Sequence, residues 1–202
     1  MPWSKELRVD LPDVFPSYQE WLDTVAHPDD SICRTEEIYR YARGKHVIAR
    51  RLLPKVIVEI GVRLGHSAHA FLRACPAATY IGMDLPGAGH GGTKVAGLDY
   101  VKKMLARHFP TAVVELHAVN TQMLTKYEGP KPDLFHVDGD HTFIGAMHDL
   151  HLAWNSGATY ILIDDYTFLP DVKRAVDIFI RDIRPKTEFM LDTVRGDVLL
   201  TR

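Results

Sequence analysis

The feature that most constrains the fold of this chain is a regular alternation that begins after Pro54. Short apolar runs rich in β-branched residues alternate with longer segments whose apolar residues recur at helical spacing. Five runs predict buried strands, and only the third connection lacks a clear helix. The predicted strands are 56–60, 80–83, 113–116, 134–137 and 160–163. This order is typical of an open α/β sheet whose parallel strands are covered on both faces.

The end of the chain departs from this alternation. Residues 188–193 and 197–201 are two strand-like runs, and only Val194, Arg195 and Gly196 join them. A connection this short predicts an antiparallel hairpin, because a parallel crossover needs about a dozen residues. The full prediction is a Rossmann-like, open, mostly parallel sheet of seven strands, with helices on both faces and a C-terminal antiparallel hairpin.

Residues 1–53 are predicted to be helical and to precede the sheet. A short segment at 18–25 is followed by a longer one with apolar residues at helical spacing, which Pro54 stops. We expect these helices to form a lid or extension, or a contact with a second copy. Residues 54–202 would carry the chemistry. No repeat or linker divides the chain, so one structural domain is expected overall.

Composition excludes several classes of partner. The formal net charge is −2 and the basic residues are scattered, which argues against a nucleic-acid binder. No apolar run approaches the roughly 20 residues that span a bilayer, and residues 1–10 lack the apolar segment of a secretory signal. Cys33 and Cys75 form no C-x-x-C pair and are expected to be buried thiols. We therefore expect a cytoplasmic protein with a small-molecule partner, and homo-oligomer formation stays open.

Acidic residues stand at the carboxyl ends of four predicted strands: Glu59, Asp84, Asp138 and the pair Asp164 and Asp165. One such acid could stabilise a turn or cap a helix. The carboxyl ends of parallel strands open into one crevice, however, so these acids should share it. Crowded carboxylates repel, so some must protonate or a cation must lie among them. All-oxygen ligands suit Mg²⁺, Mn²⁺ or Ca²⁺ rather than zinc.

The turn after the first predicted strand reads EIGVRLGHS over residues 59–67. Gly61 and Gly65 would let the backbone approach a ligand, and the helix that follows offers free N–H groups to a carboxylate. The spacing lacks the G-x-G-x-x-G of dinucleotide binders. Asp84, 23 residues after Gly61, is placed to bind ribose hydroxyls, which NAD and S-adenosylmethionine share. The alternative is that Gly61 and Gly65 only allow a tight turn and contact no ligand.

A glycine-rich segment at 86–94 invites comparison with a phosphate-binding loop. Its order is Gly-Thr-Lys, whereas that loop needs Gly-Lys followed by Ser or Thr, so the comparison fails. We expect instead a mobile loop beside the crevice that closes over substrate. Contacts to the substrate would come from this loop, from the N-terminal helices and from the segment around Phe168.

These motifs resemble those of class I S-adenosylmethionine-dependent methyltransferases. The E-I-G-x-x-x-G run is similar to their first motif, Asp84 to their ribose-binding acid and the closing hairpin to their final strands, over about residues 54–202. The resemblance implies that the two glycines border the methionine part of the cofactor. Asn120 and Thr121 would lie near its adenine. The implied cofactor-binding set is Glu59, Gly61, Gly65, Ser67, Asp84, Asn120, Thr121 and Asp138.

Two further motifs, VDGDH at 137–141 and IDDY at 163–166, resemble those of metal-dependent O-methyltransferases. The subgroup includes macrolide-sugar O-methyltransferases and cephalosporin-tailoring enzymes, with catechol O-methyltransferase more distant. The resemblance implies that Asp138, Asp164 and Asp165 hold Mg²⁺ or Mn²⁺ and that His141 is the general base. A bound metal lowers the pKa of a hydroxyl, and a nearby imidazole can accept its proton. The alternative for His141 is a helix cap bonded to a carboxylate.

The expected activity is S-adenosylmethionine-dependent, metal-assisted O-methylation of a small molecule such as a sugar, a polyol or a natural product. A nicotinamide-dependent oxidoreductase on a similar sheet is one alternative, which the missing G-x-G-x-x-G and the hairpin disfavour. A non-catalytic nucleoside-binding domain is another. The acids and His141 disfavour it, because a binding module needs no base beside a metal site.

Overall fold

The computed structural model describes residues 15–25, 35–85 and 97–202. Cys33 and the segment 86–94, for which we expected a closing loop, lie outside the described residues. The helices are α1 (Tyr18–Val25), α2 (Glu36–Leu52), α3 (His66–Ala74), α4 (Gly97–His108), α5 (Phe143–Asn155) and α6 (Pro170–Ile183). The strands are β1 (Val56–Ile60), β2 (Thr79–Asp84), β3 (Val113–Ala118), β4 (Leu134–Val137), β5 (Tyr160–Ile163), β6 (Thr187–Met190) and β7 (Val198–Thr201).

The seven strands form one sheet in the order β3-β2-β1-β4-β5-β7-β6. Strands β1 to β5 are parallel, and β7 lies antiparallel between β5 and β6. The predicted mostly parallel sheet with a C-terminal antiparallel hairpin is confirmed. The order reverses between β1 and β4, and open α/β sheets bind ligands beyond the strand ends at such a point. The fold therefore directs attention to the carboxyl ends of β1, β2, β4 and β5.

Helix α2 shows why the N-terminal part ends where the sequence predicted. Its first turn is capped by Thr35, whose side chain accepts a hydrogen bond from the backbone N–H of Ile38. After the last turn, Leu53 adopts the left-handed conformation with φ 50° and donates its N–H to the carbonyl of Ala49. Pro54 follows, and its ring prevents another helical turn. The chain then enters β1.

Each face of the sheet carries its own apolar core. Helices α1 to α4 cover one face, where Trp21, Phe71 and Leu105 are fully buried. Helices α5 and α6 cover the other, where Phe135 and Phe179 are buried. Burial on both faces explains why the inner strands read as continuous apolar runs. Among the described helices, none is long and apolar enough to cross a membrane.

The closing hairpin differs from the prediction in its connection. Strand β6 ends at Met190, so residues 191–197 join the two strands, rather than the three residues expected. Leu191 donates its N–H to the carbonyl of Asp197, and the N–H of Asp197 bonds to the hydroxyl of Thr193. These bonds close a wider turn, in which the N–H of Asp197 bonds to the Thr193 hydroxyl and not to a residue of a neighbouring strand. Strand β3 also runs two residues further than predicted, to Ala118.

Candidate active site

The turn between β1 and α3 needs both of its glycines for reasons of space. Gly61 has φ 88°, and a side-chain carbon there would lie 1.7 Å from the carbonyl oxygen of Asp138. Gly65 has φ 77° and caps α3, and a side-chain carbon there would lie 2.9 Å from Val101 in α4. Only glycine fits positions this crowded with positive φ. The turn therefore presses the end of β1 against the end of β4.

Asp84 ends β2 beside this turn, and the main chain fixes its carboxylate. One oxygen accepts a hydrogen bond from the N–H of Arg63, and the other accepts one from the N–H of Leu85 at 2.7 Å. Burial raises the pKa of Asp84 above its usual value. Each carboxylate oxygen can accept a second hydrogen bond. The predicted ribose-binding acid is thus oriented with acceptor capacity to spare.

Glu59 and Ser67 belong to a buried polar network behind the turn. Glu59 is fully buried in β1 and accepts hydrogen bonds from the hydroxyls of Ser67 and Tyr80. His136 in β4 places its Nδ1 2.8 Å from the Glu59 carboxylate. This network ties α3, β2 and β4 to β1. Both residues were predicted to bind the cofactor, and the structure places them one layer behind the glycines, where they fix the turn.

Asn120 and Thr121 follow β3 at the same edge of the sheet. The N–H of Val119 bonds to the carbonyl of Asp84 at 2.7 Å, which keeps this segment next to the ribose-binding acid. Asn120 is exposed and caps a short 3₁₀ helix, Thr121–Met123. Thr121 is buried, and its hydroxyl donates to Asp149 at 2.9 Å. Asn120 is therefore the more accessible of the two predicted adenine neighbours.

The structure brings the predicted acids and the predicted base together beyond β4 and β5. The Nε2 atom of His141 lies 3.4 Å from one carboxylate oxygen of Asp138 and 3.4 Å from one of Asp165. One donor atom from each of these three residues falls within 4.8 Å of the others. Asp164 joins Asp138 in a second group of this kind, together with His136. Asp138 is thus the residue that the two groups share.

In the described part of the chain, two cationic side chains contact these acids, and neither was predicted from the sequence. Lys45 of α2 is fully buried, with its Nζ 3.2 Å from Asp164 and 2.8 Å from Asp197. Arg195, in the turn between β6 and β7, lies 3.2 Å from Asp165. The position of Lys45 could have been noticed in the sequence, because it interrupts the apolar stripe of α2. Nothing in the sequence distinguishes Arg195, since charged residues are common in turns.

These contacts set the electrostatics of the cluster. Burial raises the pKa of Asp138 to about 6 and that of Asp197 to about 7. Burial acts in the same direction on Asp164, but the Lys45 ammonium and the hydrogen bonds from Asp197 and from the N–H of Asp165 together outweigh it and hold the pKa of Asp164 well below the usual range. The hydrogen bond to Asp138 raises the pKa of His141. Lys45 and Arg195 therefore supply part of the positive charge that crowded carboxylates require.

A divalent cation still fits the cluster. The Nε2 atom of His136 is buried with no hydrogen-bond partner in the described part of the chain, and such an atom usually has one. His136 forms one donor group with Asp138 and Asp164, and His141 and Asp165 form a second group with Asp138. Carboxylate and imidazole donors suit Mn²⁺, and the carboxylates alone suit Mg²⁺.

Comparison with solved structures finds close matches to the fold. The S-adenosylhomocysteine-bound methyltransferase PaMTH1 from Podospora anserina has a TM-score of 0.68 and 17% identity, covering 95% of this chain and 88% of that one. The O-methyltransferase NovP has a TM-score of 0.60 and 18% identity, covering 92% and 97%. TomG, an O-methyltransferase from Streptomyces achromogenes in complex with S-adenosylmethionine, has a TM-score of 0.58 and 16% identity, covering 93% and 96%.

Comparison with curated proteins finds no match. A family model described as a methyltransferase domain matches residues 58–166, which is more than half of the chain. The matched residues run from β1 to the acids that follow β5 and include the glycine turn, Asp84 and His141. The class I methyltransferase fold and the enzyme class predicted from the sequence are confirmed. This chain therefore belongs to the methyltransferase-domain family.

Proposed function

We propose that this methyltransferase transfers the methyl group of S-adenosylmethionine to a hydroxyl of a small molecule, with the help of Mg²⁺ or Mn²⁺. A sugar, a polyol or a natural product is the expected acceptor. The observation that carries the proposal is the position of His141, 3.4 Å from Asp138 and from Asp165 at the carboxyl edge of the sheet. The similarity in fold to the O-methyltransferases NovP and TomG supports it.

The cofactor would lie against the turn between β1 and α3. Its carboxylate would meet the free N–H groups at the start of α3, and its ribose would meet Asp84. Glu59 and Ser67 would hold the turn from behind, and Asn120 and Thr121 would border the adenine. Because Gly61 touches the carbonyl of Asp138, the methionine part of the cofactor would lie beside the acids. This contact supports methyl transfer at the acid cluster.

Asp138, Asp164 and Asp165 would hold the divalent cation. When bound, such an ion supplies positive charge that lowers the pKa of an acceptor hydroxyl. The chain supplies the rest through alignment. Tyr41 supports this role, since its hydroxyl donates to Asp138 at 3.1 Å and fixes one carboxylate oxygen. Arg195 does the same for Asp165.

His141 would accept the proton from the acceptor hydroxyl. The acceptor oxygen forms the new bond to the methyl carbon as the bond from that carbon to sulfur breaks, which leaves S-adenosylhomocysteine. The side chain of His141 is 46% exposed, so the proton can pass on to water. The sulfonium already activates the methyl group, and positioning of the two reactants accounts for much of the remaining catalysis.

Binding and turnover together test the proposal. Calorimetry should show tighter binding of S-adenosylmethionine than of NAD, and tighter binding of NAD would favour the oxidoreductase. Transfer of a labelled methyl group to a panel of hydroxyl compounds should stop in EDTA and resume with Mg²⁺ or Mn²⁺. Full transfer in excess EDTA would remove the cation from the mechanism. Cofactor binding without transfer to any compound would favour the non-catalytic domain.

A further inference from the structure

Helix α2 reaches the candidate site with three residues spaced one turn apart. Glu37 lies 3.6 Å from Arg195, the hydroxyl of Tyr41 donates to Asp138, and Lys45 lies between Asp164 and Asp197. Residues separated by four positions share one side of a helix. Although this helix precedes the sheet and its motifs, one side of it forms part of the acid cluster.

Lys45 is the most deeply placed of these three residues. The side chains of Lys45 and Asp164 are fully buried, and that of Asp197 is 2% exposed. Its Nζ also lies 4.6 Å from the centre of the Tyr41 ring, within the range of a cation–π contact. A buried ammonium is costly unless it is paired. Two acids and one aromatic ring meet that requirement, so the charge of Lys45 is held at a fixed position.

That position overlaps the proposed site of the divalent cation. The Lys45 ammonium contacts one oxygen of Asp164 at 3.2 Å, and Asp164 is a proposed ligand. A divalent ion on Asp164 would therefore lie a few ångströms from a fixed positive charge. At the effective dielectric constant of a protein, repulsion over such a distance is worth more than a tenfold change in affinity.

We propose that Lys45 is a built-in counter-ion of the acid cluster, which holds Asp164 and Asp197 together before a divalent cation binds and weakens the binding of that cation. The inference rests on the proposed function, because it concerns the same acids. It makes Lys45 a positioning residue rather than a catalytic one. The fold then needs no metal to stay assembled, and the cluster binds its metal reversibly.

Mn²⁺ binding without any acceptor tests the inference, with electron paramagnetic resonance as the readout. Lys45→Met should bind Mn²⁺ at least tenfold more tightly than the wild type. The double variant Lys45→Met with Asp197→Asn also replaces the closer of the two acids that Lys45 contacts, so Asp164 is the one acid of this pair left without the ammonium. It should fold even where the single variant does not, and it should also bind at least tenfold more tightly. Lys103→Met, an exposed lysine in α4, is the control and should bind like the wild type.

The outcomes separate this inference from the proposed function. Wild-type binding with unchanged or weaker binding in the double variant would overturn the counter-ion role, because a purely structural lysine would loosen the site when removed. The proposed metal site would survive that result. Absence of Mn²⁺ binding in the wild type and in both variants would overturn the metal site as well. A second readout is the unfolding midpoint, which Mn²⁺ should raise more in the double variant than in the wild type.

Discussion

On the side of β1 and β2 the candidate site is shaped by the main chain, whereas on the side of β4 and β5 it is shaped by side chains. We refer to Gly61, Gly65 and Asp84 as the nucleoside half, and to Asp138, Asp164, Asp165 and His141 as the acid half. Backbone N–H groups hold Asp84, and close backbone contacts require Gly61. By contrast, side chains from α2 and the closing hairpin hold the acid half.

The difference has a chemical reason. A nucleoside and an amino acid are recognised by hydrogen bonds that the main chain can make, so the nucleoside half can be built from a turn and a helix start. Carboxylates gathered for a cation must first be kept from repelling one another, which takes charges that only side chains carry. Changes in the nucleoside half should therefore act locally, and the acid half should respond to residues far away in the chain.

The largest effect is expected from His141→Ala. Removal of a positioned base typically costs about 10²–10⁴-fold in rate, so kcat should fall over that range. The Kd for S-adenosylmethionine should stay close to the wild-type value, because the nucleoside half is untouched. Steady-state kinetics and calorimetry check the two expectations, with the exposed His117→Ala as control. A normal kcat would show that His141 is only a helix cap.

Gly61→Ala should destabilise the protein, because the added carbon would clash with the backbone of the nucleoside half. The added carbon would lie 1.7 Å from the Asp138 carbonyl at a φ of 88°, and overpacking with left-handed strain costs about 2–4 kcal/mol. Urea unfolding should show that loss of stability. Gly44→Ala is the matched control, because the added carbon there lies 3.4 Å from Thr193 and alanine favours a helix. Equal stability of the two variants would refute the backbone contact.

Asp84→Ala should weaken the binding of S-adenosylmethionine and leave the binding of Mn²⁺ unchanged. Loss of charge-assisted hydrogen bonds to ribose should weaken S-adenosylmethionine by about 1.5–3 kcal/mol. Mn²⁺ binding should be unaffected, because Asp84 is held by Arg63 and Leu85 and contacts none of the acids beyond β4 and β5. Calorimetry with each ligand measures both values. Unchanged cofactor affinity would mean that the ribose lies elsewhere.

A smaller effect is expected in the helix that follows the nucleoside half. Burial, with nearby His108 and Arg73, lowers the pKa of His69 to about 3. Between about pH 3 and pH 6.5, the unfolded chain therefore binds this proton more readily than the folded chain does. The contribution of His69 to the free energy of unfolding is greatest above about pH 6.5, and it falls by about 1.4 kcal/mol per pH unit toward pH 3. His69→Phe should remove this part of the acid sensitivity. Urea unfolding at pH 7 and pH 5 measures it, with His117→Phe as control, and an equal loss in both variants would contradict the assignment.

Residues at the ends of predicted strands could be predicted as a site, and residues elsewhere in the chain could not. The glycine turn, Asp84 and the acids after β4 and β5 lie at strand ends, and parallel strands must bring their ends together. Nothing in the sequence aligns Lys45 or Arg195 with those ends, because their positions depend on how α2 and the hairpin pack. Crowded acids require positive charge, and a lysine of the chain supplies part of it. The hairpin connection is longer than predicted, because Thr193 accepts a hydrogen bond from the N–H of Asp197 and does not pair in the sheet.

The register of α2 carries a consequence for comparison among related chains. Glu37 and Lys45 are eight positions apart, or about 12 Å along the helix. A one-residue insertion between them would rotate the later residue by about 100°. Both residues, like Tyr41 and Arg195, lie outside residues 58–166, where the family model matches. Two chains with identical motifs in that range could thus differ in the charge that surrounds their acids. Asp138, Asp164 and Asp165 lie inside the matched residues, whereas the cations that neutralise them lie outside.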